Sequence, residues 1–252
     1  MIMKKLILLI MVFAPLCLSA QQKLKIMSYN LRFGELATMQ DIGGYIASQA
    51  PDIVALQECD WATERERAPH QHGVKFVNEL AHTTGMFGLY GKTIDYRGGY
   101  YGIGILSKYP IVRSERVLLP NDGVTEQRAM LVADILLPGD VVVTMICTHL
   151  EVKSRSLRLK QAKFIDRYVR KIKHPVFLAG DFNATPDEPA IGFFNKKWQN
   201  LTNDELTYST YKPSIKIDYI YSRREVELVG TRVCTEARFS DHFPVISDIV
   251  LN

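Results

Sequence analysis

Leu178-Ala179-Gly180-Asp181-Phe182-Asn183-Ala184-Thr185-Pro186 passes, within one short stretch of chain, from residues that need burial to residues that need polar partners. Val176 to Ala179 reads as a buried strand, and Gly180 onward as the polar turn that closes it. Asp181 and Asn183 stand two apart, so an extended backbone would aim both side chains at one face. There a carboxylate can act as acid or base while an amide donates hydrogen bonds to an anion. Gly180 allows a close backbone approach or a positive φ at the same place. An Asx turn behind a buried strand explains Asp181 or Asn183 singly. It does not explain them together with His149, which ends another apolar run as Cys147-Thr148-His149-Leu150.

Apolar, β-branched runs of this kind recur along the chain. Strands are expected at Lys25 to Tyr29, Ile53 to Gln57, Gly102 to Ser107, Ala129 to Leu136, Val141 to Thr148, Val176 to Ala179, Ile217 to Tyr221 and Val245 to Val250. Pro138, Gly139 and Asp140 lie between two of them and mark a hairpin from Leu131 to Thr148. Fewer segments carry a helical period. Ser154 can cap Arg155 to Lys173, where Leu157, Ala162, Ile165, Tyr168, Val169 and Ile172 form a core-facing stripe and eight basic residues a solvated back. Gln71 to Thr84, closed by Gly85, is a second helix, and Leu36 to Gln49, interrupted by Gly43 and Gly44, a third. Neither a linker nor a repeat of fixed period divides the chain. The expectation is one domain, an α/β or α+β sandwich with sheets face to face and helices outside.

Polar residues sit where the apolar runs end. Asn30 closes the first run and Glu58 the second. Oxygen donors delivered by two rigid strands suit a hard divalent cation such as Mg²⁺, which usually takes one or two carboxylates and several waters. Either residue alone reads equally well as a turn former. Asp218, in Lys216-Ile217-Asp218-Tyr219-Ile220-Tyr221, is an acid inside an apolar run, costly there unless paired or functional. Asp241 and His242 stand side by side just before the last run.

In chain order the motifs are Tyr29-Asn30, Gln57-Glu58, Gly104-Ile105-Leu106-Ser107, Gln127-Arg128, Thr148-His149, Gly180-Asp181-Phe182-Asn183, Ile217-Asp218-Tyr219 and Ser240-Asp241-His242. On these the chain resembles the endonuclease/exonuclease/phosphatase superfamily, the deoxyribonuclease I-like fold, over essentially all of residues 21–252. The resemblance implies a four-layered α/β sandwich of two packed mixed β-sheets flanked by helices, dependence on Mg²⁺ or Mn²⁺, and hydrolysis of phosphate esters. It would make Glu58 the principal metal ligand, with Asn30 and Asp241 near the metal. Asp181 and Asn183 would face the scissile phosphate, and His149 would hydrogen-bond its oxygens. His242, oriented by Asp218, would be the general base or its electrostatic equivalent, and Arg128 would support the site. The family's mid-chain tyrosine matches either Tyr100 or Tyr101, and the sequence does not choose between them. These roles agree with what in-line hydrolysis requires: an activated water and neutralised charge on the non-bridging oxygens.

Composition bounds the rest. With 47% hydrophobic and 23% charged residues, the chain is globular, and collagen-like, low-complexity and disordered classes are excluded. Lys4 and Lys5, the apolar run Leu6 to Leu18, and Ser19-Ala20 ahead of Gln21 read as a secretory signal over residues 1–20. A retained anchor is the alternative, although the run is short for a bilayer; lipoprotein cleavage before Cys17 is disfavoured by Leu16. The mature chain, residues 21–252, is thus expected to be periplasmic or secreted, monomeric and without a transmembrane segment. Loss of Lys4 and Lys5 takes its formal charge from +4 to +2, too weak an excess for a global field that grips nucleic acid. Cys59, Cys147 and Cys234 offer neither a disulfide framework nor a C-x-x-C zinc pattern.

The expected activity is therefore a phosphodiesterase acting outside the cytoplasm, on a small or single-site ester rather than long duplex DNA. One alternative is a secreted nuclease on DNA or RNA, with the Arg155 to Lys173 helix as its tracking face. Another is a sphingomyelinase-like phospholipid hydrolase, although no aromatic hairpin for lipid insertion is evident. The inositol polyphosphate branch is disfavoured, because Leu178 and Lys216-Ile217 stand where that branch has tryptophans. A non-catalytic binding protein on the same scaffold is the reading from another class.

Overall fold

Runs that are apolar on both faces must be covered on both faces, and that requirement builds the fold. The computed structural model describes residues 22–251, so the export signal read over residues 1–20 lies outside the described residues. In chain order the elements are β1 (Gln22–Asn30), α1 (Met39–Gln49), β2 (Ile53–Trp61), α2 (Phe76–Thr84), β3 (Phe87–Tyr96), β4 (Gly99–Ser107), β5 (Ile111–Leu118), β6 (Ala129–Leu137), β7 (Val141–His149), α3 (Arg155–Val169), β8 (Val176–Asp181), α4 (Pro189–Asn195), β9 (Gln199–Asn200), β10 (Asp218–Ser222), β11 (Glu227–Val233) and β12 (Val245–Leu251). They form two six-stranded sheets, ordered β11-β12-β1-β2-β4-β3 and β5-β6-β7-β8-β10-β9. Both sheets are mixed: β1 runs parallel to β2 and β7 to β8, and the remaining pairs are antiparallel.

The period of two sorts the core into layers. Ile26, Ile53, Ile105, Leu131, Met145, Phe177 and Ile220 meet between the sheets. Their strand neighbours Met27, Val54 and Leu106 turn outward onto Ile42, Phe76 and Leu80 of α1 and α2. On the second sheet Ile146, Leu178 and Tyr219 turn outward onto Ile165 of α3 and Phe194 of α4. The result is the expected four-layered α/β sandwich. Burying each large aliphatic side chain contributes about 1.5–3 kcal/mol, so the stability is spread over three apolar layers.

Every expected strand is present, within a few residues at each end, and the hairpin turns at Pro138-Gly139-Asp140 with Leu137 paired to Val141. Four strands escaped the sequence reading: β3, β5, β9 and β11. They are the four sheet edges. Edge strands need not be apolar, and β5, Ile-Val-Arg-Ser-Glu-Arg-Val-Leu, is mostly exposed. The helices are shorter than expected. Thr38 forms a capping box with Asp41 and starts α1 at Met39; a single 3₁₀ turn at Pro69–Gln71 precedes α2; and α3 ends at Val169. Gly43, which weakened the first helix on paper, is where α1 packs on α2, since a β-carbon there would sit 2.8 Å from the Thr83 side chain. Short α4, opened by Pro189, was also missed. No helix among the described residues is long and apolar enough to cross a membrane.

Candidate active site

The carboxyl ends of β1, β2, β7 and β8 and the amino ends of β4, β6, β10 and β12 point the same way, as their registers require. The polar motifs therefore arrive at one end of the sandwich, around a cavity of about 480 Å³ lined by Glu58, Tyr101, Arg128, His149, Asp181, Asn183, Asp241 and His242. Asn30 and Asp218 reach the same cluster by hydrogen bonds, so all nine residues singled out in the sequence come together. A somewhat larger cleft, about 560 Å³, opens beside Lys23, Lys25, Asp52 and Lys108, with no histidine in its lining.

Glu58 does not end its strand, as the sequence suggested. It sits at a β-bulge inside β2, where the pairing jumps from Leu56–Gly104 to Cys59–Gly102. Its φ is +57°, in the left-handed region that a non-glycine residue enters at a cost of about 1–3 kcal/mol. The bulge turns the carboxylate into the cavity, where its one protein hydrogen bond comes from Asn30 Nδ2 at 3.2 Å. The same Nδ2 donates to Asp181 Oδ2 at 3.0 Å, so Asn30 ties two acids together. Burial pushes the Glu58 carboxyl above its ordinary range, outweighing the pull of His242 and the Asn30 hydrogen bond.

Two histidines flank Asp181 in opposite electrostatic states. Arg128 Nη1 donates to His149 Nδ1 at 3.1 Å, and because a guanidinium only donates, the neutral ring carries its proton on Nε2. Burial, reinforced by Arg128 and His242, holds His149 well below the usual histidine range. His242 donates from Nδ1 to Asp218 Oδ2 at 3.0 Å. Burial alone would lower it, but the Asp218 and Asp181 carboxylates overcome that and raise it to about 10, so it is an imidazolium. The Nε2 atoms of His149 and His242 lie 3.5 and 3.7 Å from Asp181 Oδ2. Burial lifts Asp181 to about 7, with the His242 charge opposing and Asp218 reinforcing the shift.

Other expectations need correction. Asp181 and Asn183 do not share an extended face: Asn183 has φ +48°, its N–H donates to Asp181 Oδ1 at 2.8 Å in an Asx turn, and its Nδ2 donates to the Leu150 carbonyl at 3.0 Å. The turn still leaves both residues on the cavity wall. Gly180 is there for close approach, since a β-carbon would sit 1.9 Å from the Thr148 carbonyl oxygen. Asp241 lines the cavity but is ion-paired with Arg32, and the Asn30 side-chain oxygen accepts from the Arg32 N–H at 2.9 Å. Of the two carboxylates among the three expected metal ligands, Glu58 is the one without a salt-bridge partner. A second acidic group, Asp181, Asp218 and His242, brings its ligand atoms within 4.8 Å of one another.

A sequence model of the Endonuclease/Exonuclease/phosphatase family matches residues 27–242. The chain belongs to the endonuclease/exonuclease/phosphatase family. Family membership makes it a phosphoric ester hydrolase. Its relatives include the uncharacterized protein YbhP of Escherichia coli K12, 26% identical over 240 residues, covering 89% of this chain and 91% of YbhP. Among solved structures, an endonuclease/exonuclease/phosphatase from Beutenbergia cavernae superposes with a TM-score of 0.78 at 21% identity, over 91% of this chain and 72% of that one. The mannosyl-6-phosphatase Bt3783 of Bacteroides thetaiotaomicron superposes at 0.72 with 17% identity, over 90% of this chain and all of that one.

Family motifs left several wall residues unread. Tyr101, 8% exposed, lines the cavity, whereas Tyr100, 40% exposed, lies on the opposite face of β4. Strand alternation separates the two, but only once the register with Asp60 and Trp61 is known. Tyr208 packs its ring, tilted by 53°, 4.8 Å from that of His242, carried by a loop without periodicity. Arg158 departs most from expectation. Placed on the solvated back of α3 by the sequence reading, it is buried against Glu188, with Nη2 2.8 and 2.6 Å from the two carboxylate oxygens, and Nη1 donates to the Glu151 and Val152 carbonyls. The pair staples the loop after His149 to the segment after Asn183. Arg158→Met should lower stability by about 3 kcal/mol, because buried Glu188 loses its bidentate partner and keeps only the exposed Arg155, 3.5 Å away. The urea midpoint reads this, and a Glu188→Gln second substitution should recover part of the loss. A midpoint unchanged in the single variant would show the pair to be idle.

Proposed function

We propose that this chain hydrolyses phosphodiesters with a divalent cation, Mg²⁺ or Mn²⁺, held at Glu58. The observation that carries the reading is the site's charge pattern: the half-buried Glu58 carboxylate without a salt-bridge partner, beside an acid flanked by one neutral and one charged imidazole. Oxygen donors of this kind fit a hard cation, and Asp218 Oδ1, buried without a hydrogen-bond partner, leaves a further unmet demand in the cluster. Glu58 would hold the cation, with Asn30 fixing its carboxylate and Asp241 close by. The Asp181, Asp218 and His242 group supports a metal less well, since binding there would break the 3.0 Å hydrogen bond between His242 and Asp218. When bound, the cation supplies positive charge to a phosphoryl oxygen and to the water or leaving oxygen beside it.

The protein residues supply the rest. His149 Nε2–H donates to a non-bridging oxygen, its proton kept on that nitrogen by Arg128. Asn183, held by its Asx turn, presents a second polar group on the same wall. Asp181, raised to about 7, is poised to accept the proton of the attacking water near neutral pH. His242 then acts as the electrostatic equivalent of the expected base: a charged imidazole donates to the developing negative charge or to the departing oxygen, with Asp218 fixing its orientation.

Charge also favours a diester. Arg32, Arg128 and Arg158 are ion-paired with Asp241, Glu126 and Glu188, and the His242 imidazolium is paired with Asp218, so the protein's own wall offers little positive charge that is not already balanced by a carboxylate. That complement suits a phosphodiester monoanion better than a monoester dianion. The solved structures of similar fold include proteins described as a mannosyl-6-phosphatase and as a 2′,3′-cyclic phosphatase, so the scaffold serves both ester types. With Mg²⁺ or Mn²⁺ present, kcat/KM for bis(p-nitrophenyl) phosphate should exceed that for p-nitrophenyl phosphate by at least about tenfold, the equivalent of about 1.4 kcal/mol in the transition state. A preference for the monoester would reverse the assignment.

A further inference from the structure

One residue holds the oxygens of two of the three expected metal ligands. The Arg32 N–H donates to Asn30 Oδ1 at 2.9 Å, and its guanidinium donates from Nη1 to Asp241 Oδ2 and from Nε to Glu35 Oε2. Asn30 offers Glu58 and Asp181 only its Nδ2, a donor that cannot bind a cation. The Arg32 side chain does not reach Asp241 by regular backbone. Arg32 and Phe33 are consecutive non-glycine residues in the left-handed region, with φ +45° and +42°, where such residues seldom sit. Their surroundings fix them there. His70 Nε2 and Gln71 Nε2 donate to the Gly34 carbonyl at 2.9 and 3.3 Å, and the Arg65 guanidinium lies 4.1 Å from the Phe33 ring centroid. Arg67 donates to Glu35 from Nε and Nη2 at 3.0 and 2.8 Å. Arg67, Glu35, Arg32 and Asp241 thus form a run of alternating charges that ends on the cavity wall.

Asp241 and Glu58 line one cavity, and beyond burial the Asp241 charge helps to push the Glu58 carboxyl upward. Two carboxylates that sense each other in this way are a ready site for hard cations, which take oxygen ligands from several residues. Arg32 closes the Asp241 half of it. We infer that Arg32 is a positioning residue that stands in for a second cation at Asp241 and limits the site to one metal ion, an inference that rests on the cation proposed at Glu58. A guanidinium keeps its charge at any physiological pH, so Asp241 is matched at all times by the protein itself. A further metal ion drawn to that carboxylate would meet the fixed charge at close range in a mostly buried setting, where repulsion is poorly screened. Without the charge, Asp241 becomes a free acid beside Glu58.

The test counts Mn²⁺ ions bound per chain, by equilibrium dialysis with electron paramagnetic resonance of the free ion and without substrate. Natural protein is compared with Arg32→Lys, Arg32→Gln and Arg32→Asn. Lysine keeps the charge. Glutamine removes it and keeps much of the reach, and asparagine removes it while suiting the left-handed backbone; circular dichroism checks the fold of each. One ion is expected in natural protein and in Arg32→Lys, two in the neutral variants, and one again when Asp241→Asn is added to either, which places the extra ion at Asp241. Two ions in natural protein, or one in a folded neutral variant, overturns the inference. Two ions in Arg32→Lys overturns it as well, since charge would not then be what excludes the second. If natural protein binds none, the cation at Glu58 falls and the role of Arg32 falls with it.

Discussion

Asp181→Asn should lower kcat on bis(p-nitrophenyl) phosphate by about 10²–10⁴-fold, the range that a positioned acid or base supplies. The substitution keeps the volume of the side chain and its acceptor for the Asn183 N–H, the hydrogen bond that shapes the turn at 2.8 Å. It removes the group that burial has raised to about 7, close to the pH at which it must exchange a proton. It also removes the negative charge between the two imidazoles, so His242 loses one of the carboxylates that hold it protonated. Release of p-nitrophenolate measures the loss, and circular dichroism checks that the fold persists. A loss under tenfold in a folded variant would take the proton-accepting role away from Asp181.

The His242 and Asp218 pair carries the second large effect. His242→Ala and Asp218→Asn should each reduce kcat by about 100-fold or more, and the double variant should be within a few fold of the worse single one. The reason is geometric. One hydrogen bond of 3.0 Å fixes the ring and helps keep it charged, so a ring without Asp218 has already lost much of what it does, and an acid without the ring does nothing further. Losses that multiply in the double variant would mean that the two residues act independently, and the imidazolium role would fall.

Which parts of this were legible in sequence follows from what each residue has to satisfy. Central strands such as Val176–Asp181 and Ala129–Leu137 are buried on both faces, and their unbroken apolar runs announce them. Edge strands carry no such demand, so β5 and β11 read as polar loop until the neighbouring strand supplies the pairing. Site residues were legible because each polar group interrupts an apolar run or follows it at once, which only a partner or a function makes affordable. Asp218 opening β10 and His149 closing β7 are examples. Geometry that depends on a departure from regular structure was not legible. The bulge at Glu58 and the left-handed Asn183 have no compositional mark, since neither is a glycine. Arg158 was misread for a related reason: helical spacing places it on a face, but its burial is decided by Glu188, thirty residues on.

The Glu58 bulge also joins fold to function. A half-buried carboxylate on a left-handed residue is held in place by the surrounding sheet, and strain of this kind persists when neighbouring structure over-determines it. Its raised pKa, which desolvation causes, marks an acid still in need of a positive partner, which His242 and Arg128 only partly supply. The account therefore turns on whether a cation works at Glu58. The most direct measurement is turnover of bis(p-nitrophenyl) phosphate against added Mg²⁺ or Mn²⁺ after stripping with a chelator, with natural and Glu58→Gln protein side by side. The expected result is no turnover in chelator, recovery with metal, and at least about a tenfold higher metal requirement in the variant. Full turnover in chelator, or the same metal dependence in both proteins, would contradict it.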